Sequence, residues 1–319
     1  MTINSDGLVH KLHAGGGRIV LSVHGKKAVF SELSSTYPLK LLSPNVQGET
    51  ALVYLLSYGG GLVSGDQVDL RVEITGGSLM LLSQGSTKVF KSRPGKRLAS
   101  VKSDRIHSSL LPHDSAATPS TRQNLEFHLA PMSTLFLLPE PVTCFRDASY
   151  NQIQRFYLQE DSSAVILDWI TSGRMSVGEE WVFSRYHSLN EIFLGGKRVA
   201  KDVMLLDIED TGVHDVHIPH RPLRDRLQPY SCYAMLILYG PQMQSVIADI
   251  TAKYNNISVF KTRQPDTLIW SLSPVDSKKR GAVVRVAGLE TEMVKEWLKQ
   301  TLAGFEDVVG KDLYRRAFP

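Results

Sequence analysis

Apolar and polar residues alternate along most of this chain. From Gln67 to Thr75, Val68, Leu70, Val72 and Ile74 interleave with Asp69, Arg71, Glu73 and Thr75. That period of two marks a half-buried strand. Similar runs predict strands over Arg18–Val23, Lys27–Leu33, Ala51–Ser57, Gln67–Thr75, Ser78–Ser83, Arg97–Ser103, Asn124–Leu129 and Ser133–Leu138. Further strands are predicted over Gln152–Leu158, Ser163–Ile170, Glu180–Arg185, Asn190–Leu194, Val199–Leu206, Ser231–Tyr239, Thr267–Leu272 and Ala282–Val286. Gly-Gly pairs at 76–77 and 195–196 add hairpin signals. Strands this short and closely spaced predict an all-β stack, sandwich or β-helix, with the expectation set on a mainly β, stacked antiparallel or helix-like β-sheet scaffold.

Two segments switch to helical spacing. Gln242–Tyr254 puts Met243, Val246, Ile247, Ile250 and Tyr254 on one face, and Glu290–Leu302 does the same with Met293, Val294, Trp297, Leu298 and Leu302. They predict two α-helices near the C-terminus that cover a sheet. There is no internal repeat and no sharp shift of composition, so the expectation is a single domain over 1–319. Residues 104–121, rich in Ser, Thr and Pro, read as a flexible insertion.

Charge excludes some partners. A net charge of +4 without a dense basic stripe and interleaved aromatics gives no case for nucleic acid. Lys88, Lys91, Arg93, Lys96 and Arg97 form one basic cluster, and Arg221, Arg224 and Arg226 another. They suit a solvated face or an acidic protein partner. Two cysteines build no disulfide framework, the N-terminal residues have no signal-peptide pattern, and no apolar run nears the ~20 residues of a membrane helix. The expectation is a soluble, cytoplasmic protein that does not enter a membrane.

The densest local signal is Gly59-Gly60-Gly61-Leu62-Val63-Ser64-Gly65-Asp66, a shaped turn with an acid at its exit. A phosphate loop would need Gly-Lys-Ser/Thr, or Gly at 64, and then a helix. Here Asp66 follows Gly65, Ser stands at 64, and a strand pattern comes next. No G-x-S-x-G pentad supplies a nucleophile elbow. Cys144 has apolar or neutral neighbours, which favour a packed thiol over a thiolate. His214, His217 and His220 fall among prolines in a loop that suits either solvent or a nickel or zinc ion.

The acids are more pointed. Asp168 interrupts an apolar run and needs a partner if buried. Arg174, in the next turn, is the first expectation for that partner; the alternative is a hydrated passage. Glu179 closes the same turn, and Glu140 is held between Pro139 and Pro141. These residues leave two function classes open: a hydrolase using Asp168, Glu179 or Cys144, and a β-rich binding module without a metal role.

Five blocks, in order, carry a resemblance: Gly59–Asp66; Gln84-Gly-Ser-Thr-Lys88; Pro139-Glu-Pro-Val-Thr-Cys-Phe145; Asp168-Trp169 with Gly173-Arg174 and Gly178-Glu179; and Val283-Val-Arg285. Together they resemble the urease accessory protein D family, also called H. The closing residues 310–318 look like its fungal branch. The resemblance implies a non-enzymatic, β-rich, helix-like stack with two helices. It implies binding to urease apoprotein and to accessory protein F, which recruits the nickel-carrying GTPase G. The assembly would deliver Ni²⁺ through a water-filled tunnel, with no tightly bound cofactor, and support carbamylation of the urease lysine. Asp66, Glu140, Asp168, Arg174 and Glu179 become nickel-path candidates. Gly59, Gly60, Gly61 and Gly65 form the structural turn, and Gln84 and Lys88 belong to a second motif. Residues 104–121 and the histidine loop 213–222 fall outside the family pattern.

Overall fold

The computed structural model describes residues 12–91, 120–208, 221–257, 267–276 and 278–318. In chain order the strands are β1 (Gly16–His24), β2 (Lys27–Ser35), β3 (Leu39–Gln47), β4 (Thr50–Ser57), β5 (Gln67–Ile74), β6 (Ser78–Ser83), β7 (Thr87–Val89), β8 (Thr121–Leu129) and β9 (Thr134–Leu137). They continue as β10 (Val142–Cys144), β11 (Ser149–Leu158), β12 (Ser163–Thr171), β13 (Arg185–Leu194), β14 (Lys197–Asp207), β15 (Cys232–Tyr239), β16 (Leu268–Pro274) and β17 (Gly281–Gly288). The helices are α1 (Leu223–Leu227), α2 (Gln244–Asn255), α3 (Thr291–Thr301), α4 (Glu306–Val309) and α5 (Lys311–Ala317).

The first sheet runs β14-β13-β11-β8-β5-β1-β2, and the second runs β16-β17-β15-β12-β9-β6-β4-β3. From β4 to β13 the chain alternates between them. β5, β8, β11 and β13 pair in parallel in the first sheet, while β4, β6, β9 and β12 do so in the second. Parallel neighbours need a long crossover, and here a strand of the opposite sheet supplies it. The centre of the stack is therefore helix-like. Its margins are antiparallel: β1–β2, β3–β4, β13–β14 and the β12–β15–β17–β16 series.

Two apolar cores follow from this layering. Ile19, Val72, Phe127, Phe156 and Ile166 fill the space between the sheets. Leu52, Phe136, Trp169 and Leu236 pack on the far side of the second sheet against Ile250 of α2 and Val294 and Leu298 of α3. β12 is buried on both faces, so its sequence is nearly continuous in apolar residues. By strand parity Asp168 shares the inter-sheet face with Ala164, Ile166 and Ile170, and Trp169 faces the helices.

The mainly β class and the two helices near the C-terminus match the sequence reading. Some local details differ. Residues 180–184 form no strand, because Trp181 adopts φ 54°; the predicted pieces Glu180–Arg185 and Asn190–Leu194 give way to one continuous β13. β7 and β10 escape the sequence reading because three residues cannot show a period, and the short helices α1, α4 and α5 escape it for a similar reason. The predicted strand Arg97–Ser103 and nearly all of 104–121 lie outside the described residues. No helix among the described residues is long and apolar enough to cross a membrane.

Candidate functional site: a buried carboxylate and a two-walled acid

Asp168 lies between the sheets with 7% of its surface exposed. Its Oδ1 accepts hydrogen bonds from Gln152 Nε2 at 3.1 Å and Tyr186 Oη at 3.3 Å. Its Oδ2 accepts from Asn190 Nδ2 at 2.7 Å and from Ser188 Oγ. None of these donors is cationic. Register explains the convergence: Gln152 stands opposite Ser188, and Gln154 opposite Asn190, across parallel β11 and β13. Two relays end on the acid. Tyr150 donates to Gln152 at 2.9 Å, and Gln154 donates to Asn190 at 3.0 Å. Burial pushes the Asp168 carboxyl above its ordinary pKa, while the four hydrogen bonds pull it back down.

The expected Asp168–Arg174 pair does not form. Arg174 grips Glu179 instead, with Nε at 2.8 Å and Nη2 at 2.7 Å. The turn from Gly173 to Gly178 (φ 72°) folds the chain back too soon for Arg174 to reach into the sheets. The guanidinium also stacks 4.2 Å from the Phe145 ring, and Arg146 approaches Glu179 at 3.8 Å. The Arg174 hydrogen bonds hold the Glu179 carboxyl below its ordinary pKa. A depressed acid stabilises the fold above its unfolded pKa and loses that contribution as pH falls through the folded one. Acidification below the ordinary value of 4.5 is therefore expected to lower the urea unfolding midpoint. In Glu179→Gln this acid-side loss should be smaller, as read by urea melts across pH.

A cavity of about 60 Å³ adjoins Asp168, with Gln123, Gln152, Gln154, Trp169 and Glu140 in its wall. That is room for more than one water. On the outer side, a cleft of about 380 Å³ is lined by Ser86, Thr143, Thr171, Ser172, Ser231 and Thr291, and again by Glu140. Glu140 thus stands in both walls. Its backbone is pinned: its N–H donates to Ser83 Oγ at 2.8 Å, and the Pro139 carbonyl accepts Trp169 Nε1 at 2.7 Å. Its carboxylate meets Lys295 of α3, with Oε1 to Nζ at 3.0 Å.

The glycine turn and the Gln84–Lys88 block form one structure. Leu62 donates to the Lys88 carbonyl at 2.8 Å, and Phe90 donates to the Leu62 carbonyl at 2.9 Å. A Cβ at Gly61 would stand 2.7 Å from that Lys88 oxygen, so only glycine allows the approach. Gly65 takes φ 88°, a conformation glycine adopts freely. Gly59 and Gly60 form the short helical turn that opens the run. Asp66 closes it: its Oδ2 accepts the Val63 N–H at 2.9 Å, and its own N–H donates to the Val63 carbonyl at 3.0 Å. Asp66, Arg174 and Glu179 are absent from the linings of both cavities, while Gln84 and Lys88 are exposed.

Among the described residues no three His, Cys, Asp or Glu side chains come together as a metal site. His214, His217 and His220 lie outside the described residues. Cys144 and Cys232 are both buried; burial pushes the Cys144 thiol well above its ordinary pKa and Cys232 up to about 12. Neither thiol is poised as a nucleophile. Sequence reasoning missed Gln152, Gln154, Tyr186, Ser188, Asn190 and Lys295. A signal existed for two of them: Gln152 and Gln154 have the parity of Tyr150, Phe156 and Leu158, so they place amides on the buried face.

The fold is a layered β-coil, parallel at its centre, that places Asp168 and a few amides beside a mostly apolar cavity. Residues 13–316 match the family model described as UreD urease accessory protein. The chain is 37% identical to "Urease accessory protein 4" of Cryptococcus neoformans var. grubii, over 96% of this chain and 95% of that one. It is 30% identical to "Urease accessory protein D" of Oryza sativa subsp. indica, over 93% and 94%. It is 32% identical to "Urease accessory protein UreD" of Sorangium cellulosum, over 95% and 84%. The chain belongs to the UreD urease accessory protein family.

Proposed function

We propose that this protein is a non-catalytic scaffold of urease maturation in the cytoplasm. It binds urease apoprotein together with accessory proteins F and G, and it passes Ni²⁺ toward the urease site. The names of its relatives support the maturation role. The observation that carries the nickel route is Glu140, which stands in the walls of both the outer cleft and the inner cavity that reaches Asp168. Hydroxyls, amides and isolated carboxylates are weak, exchangeable oxygen ligands, whereas a set of imidazoles or thiolates would retain the ion. Conduction needs sites favourable enough to occupy and weak enough to leave. Asp168 is held by neutral donors only, so no fixed cation competes there with a dication, which would have to displace hydrogen bonds and not an ammonium or guanidinium.

The test reconstitutes urease activation from apo-urease, the F and G proteins, nickel and bicarbonate. Wild-type protein should co-purify with apo-urease and F and restore activity. A Glu140→Gln/Asp168→Asn protein, checked as folded, should still co-purify but lose most of the activation. Failure of wild type to associate at micromolar concentration overturns the scaffold role. Full activation by the folded double variant overturns the route.

A further inference from the structure

We infer that Lys295 sets how tightly the Glu140 carboxylate holds a divalent cation. The inference rests on the nickel-route reading above. Glu140 has almost no backbone freedom, since two prolines flank it, Ser83 binds its N–H, and Trp169 holds the preceding carbonyl. Only its side-chain torsions remain. The Glu140 and Lys295 side chains are 25% and 17% exposed, so water screens their contact only in part. Lys295 rides on α3 between the buried anchors Val294 and Leu298, which fix its backbone against the second sheet. Its four-carbon stem has more rotatable bonds than the Glu140 side chain.

A cation reaching Glu140 from the cleft meets an oxygen whose charge is already met by an ammonium. It must displace that ammonium or share the carboxylate with it. When the cation moves on, the ammonium returns and restores neutrality. The pair therefore lowers the affinity of the one acid common to both cavities and leaves the ion exchangeable. Lysine suits this role: it is a point charge on a flexible stem, and it releases an oxygen more readily than arginine, whose planar fork binds a carboxylate through two bonds. Arginine does lock the nearby Glu179, and Glu179 lines neither cavity.

The experiment uses the full chain and Ni²⁺ alone in equilibrium dialysis, with urease activation as a second arm. Lys295→Met should bind Ni²⁺ about tenfold more tightly than wild type, the size of effect one charge within hydrogen-bond reach has on a carboxylate proton. The nickel concentration for half-maximal urease activation should fall in parallel. Adding Glu140→Gln to Lys295→Met should abolish the gain. Affinity of Lys295→Met within about twofold of wild type overturns the inference. If circular dichroism shows Lys295→Met unfolded, Lys295→Gln decides by the same dialysis: tighter Ni²⁺ binding supports the pair's control, and affinity within about twofold of wild type overturns it. Wild-type protein that fails to activate urease, while dialysis still shows the Lys295 effect, overturns the function and leaves the ion-pair control standing.

Discussion

An Asp168→Ala protein is expected to unfold about 10 °C below wild type. The loss does not come mainly from the volume of the missing carboxylate or from one lost hydrogen bond. It comes from the donors left behind: Gln152, Tyr186, Ser188 and Asn190 all point at one carboxylate in a space closed on both sides by sheet. An unsatisfied buried donor costs about 1–3 kcal/mol, so even with partial rescue by water in the adjoining cavity the sum is about 3–5 kcal/mol. A chain this long loses roughly 2–4 °C for each kcal/mol. Asp168→Asn should fall between the two, because its amide turns one acceptor into a donor that faces other donors. The variants also separate in pH. Burial raises the folded pKa of Asp168, so its contribution is fully present below the unfolded carboxylate pKa and is lost as pH rises through the folded value. Wild type should lose stability relative to Asp168→Asn as pH climbs out of the acid range. Thermal and urea melts from acid to neutral pH read both effects.

The second large effect is expected at Trp169. Its ring is 4% exposed, packs in the core beneath the helices, and lines the inner cavity. Trp169→Ala should cost about 4 kcal/mol, the usual range for emptying an aromatic site, as measured by urea denaturation. Trp169→Phe is the sharper tool. It keeps an aromatic ring in the site while removing the Nε1 bond to the Pro139 carbonyl, worth about 1 kcal/mol, together with the part of the indole that the smaller ring leaves empty. On the proposed route, freeing that carbonyl lets Glu140 wander from its place in both walls. Trp169→Phe should then reduce urease activation more than its stability loss accounts for. Equal activation at equal folded fraction would remove Trp169 from the positioning of Glu140.

Much of this fold was written in the strand period. β5 was legible residue by residue because one face meets the core and the other meets solvent. β12 was legible as a buried strand because both faces are covered. The coil itself was not legible: no local pattern says that β5 pairs with β8 and not with β6, since that choice is made by the crossover through the opposite sheet. The site divides the same way. Asp168 betrayed itself as an acid in an apolar run, and Glu140 as an acid between prolines. Their partners were hidden because they come from afar. Ser188 and Asn190 stand 20 and 22 residues from Asp168, and Lys295 stands 155 residues from Glu140. The Arg174 expectation failed for the opposite reason: the nearer acid, Glu179, reaches it first.

The alternation of the chain between two sheets also dictates a history for each molecule. β8 pairs in parallel with β5 across 55 positions of sequence, so no rung of the stack closes until a whole lap of chain exists. Pairings this distant close slowly. On the ribosome the laps are completed in order from the N-terminal side, and each new rung leaves its outer backbone groups bare until the next lap arrives. The antiparallel closures by β14 and by β15, β17 and β16 are made last. A nascent copy therefore spends its youth with a sticky rim that only strands from Lys197 onward can cover.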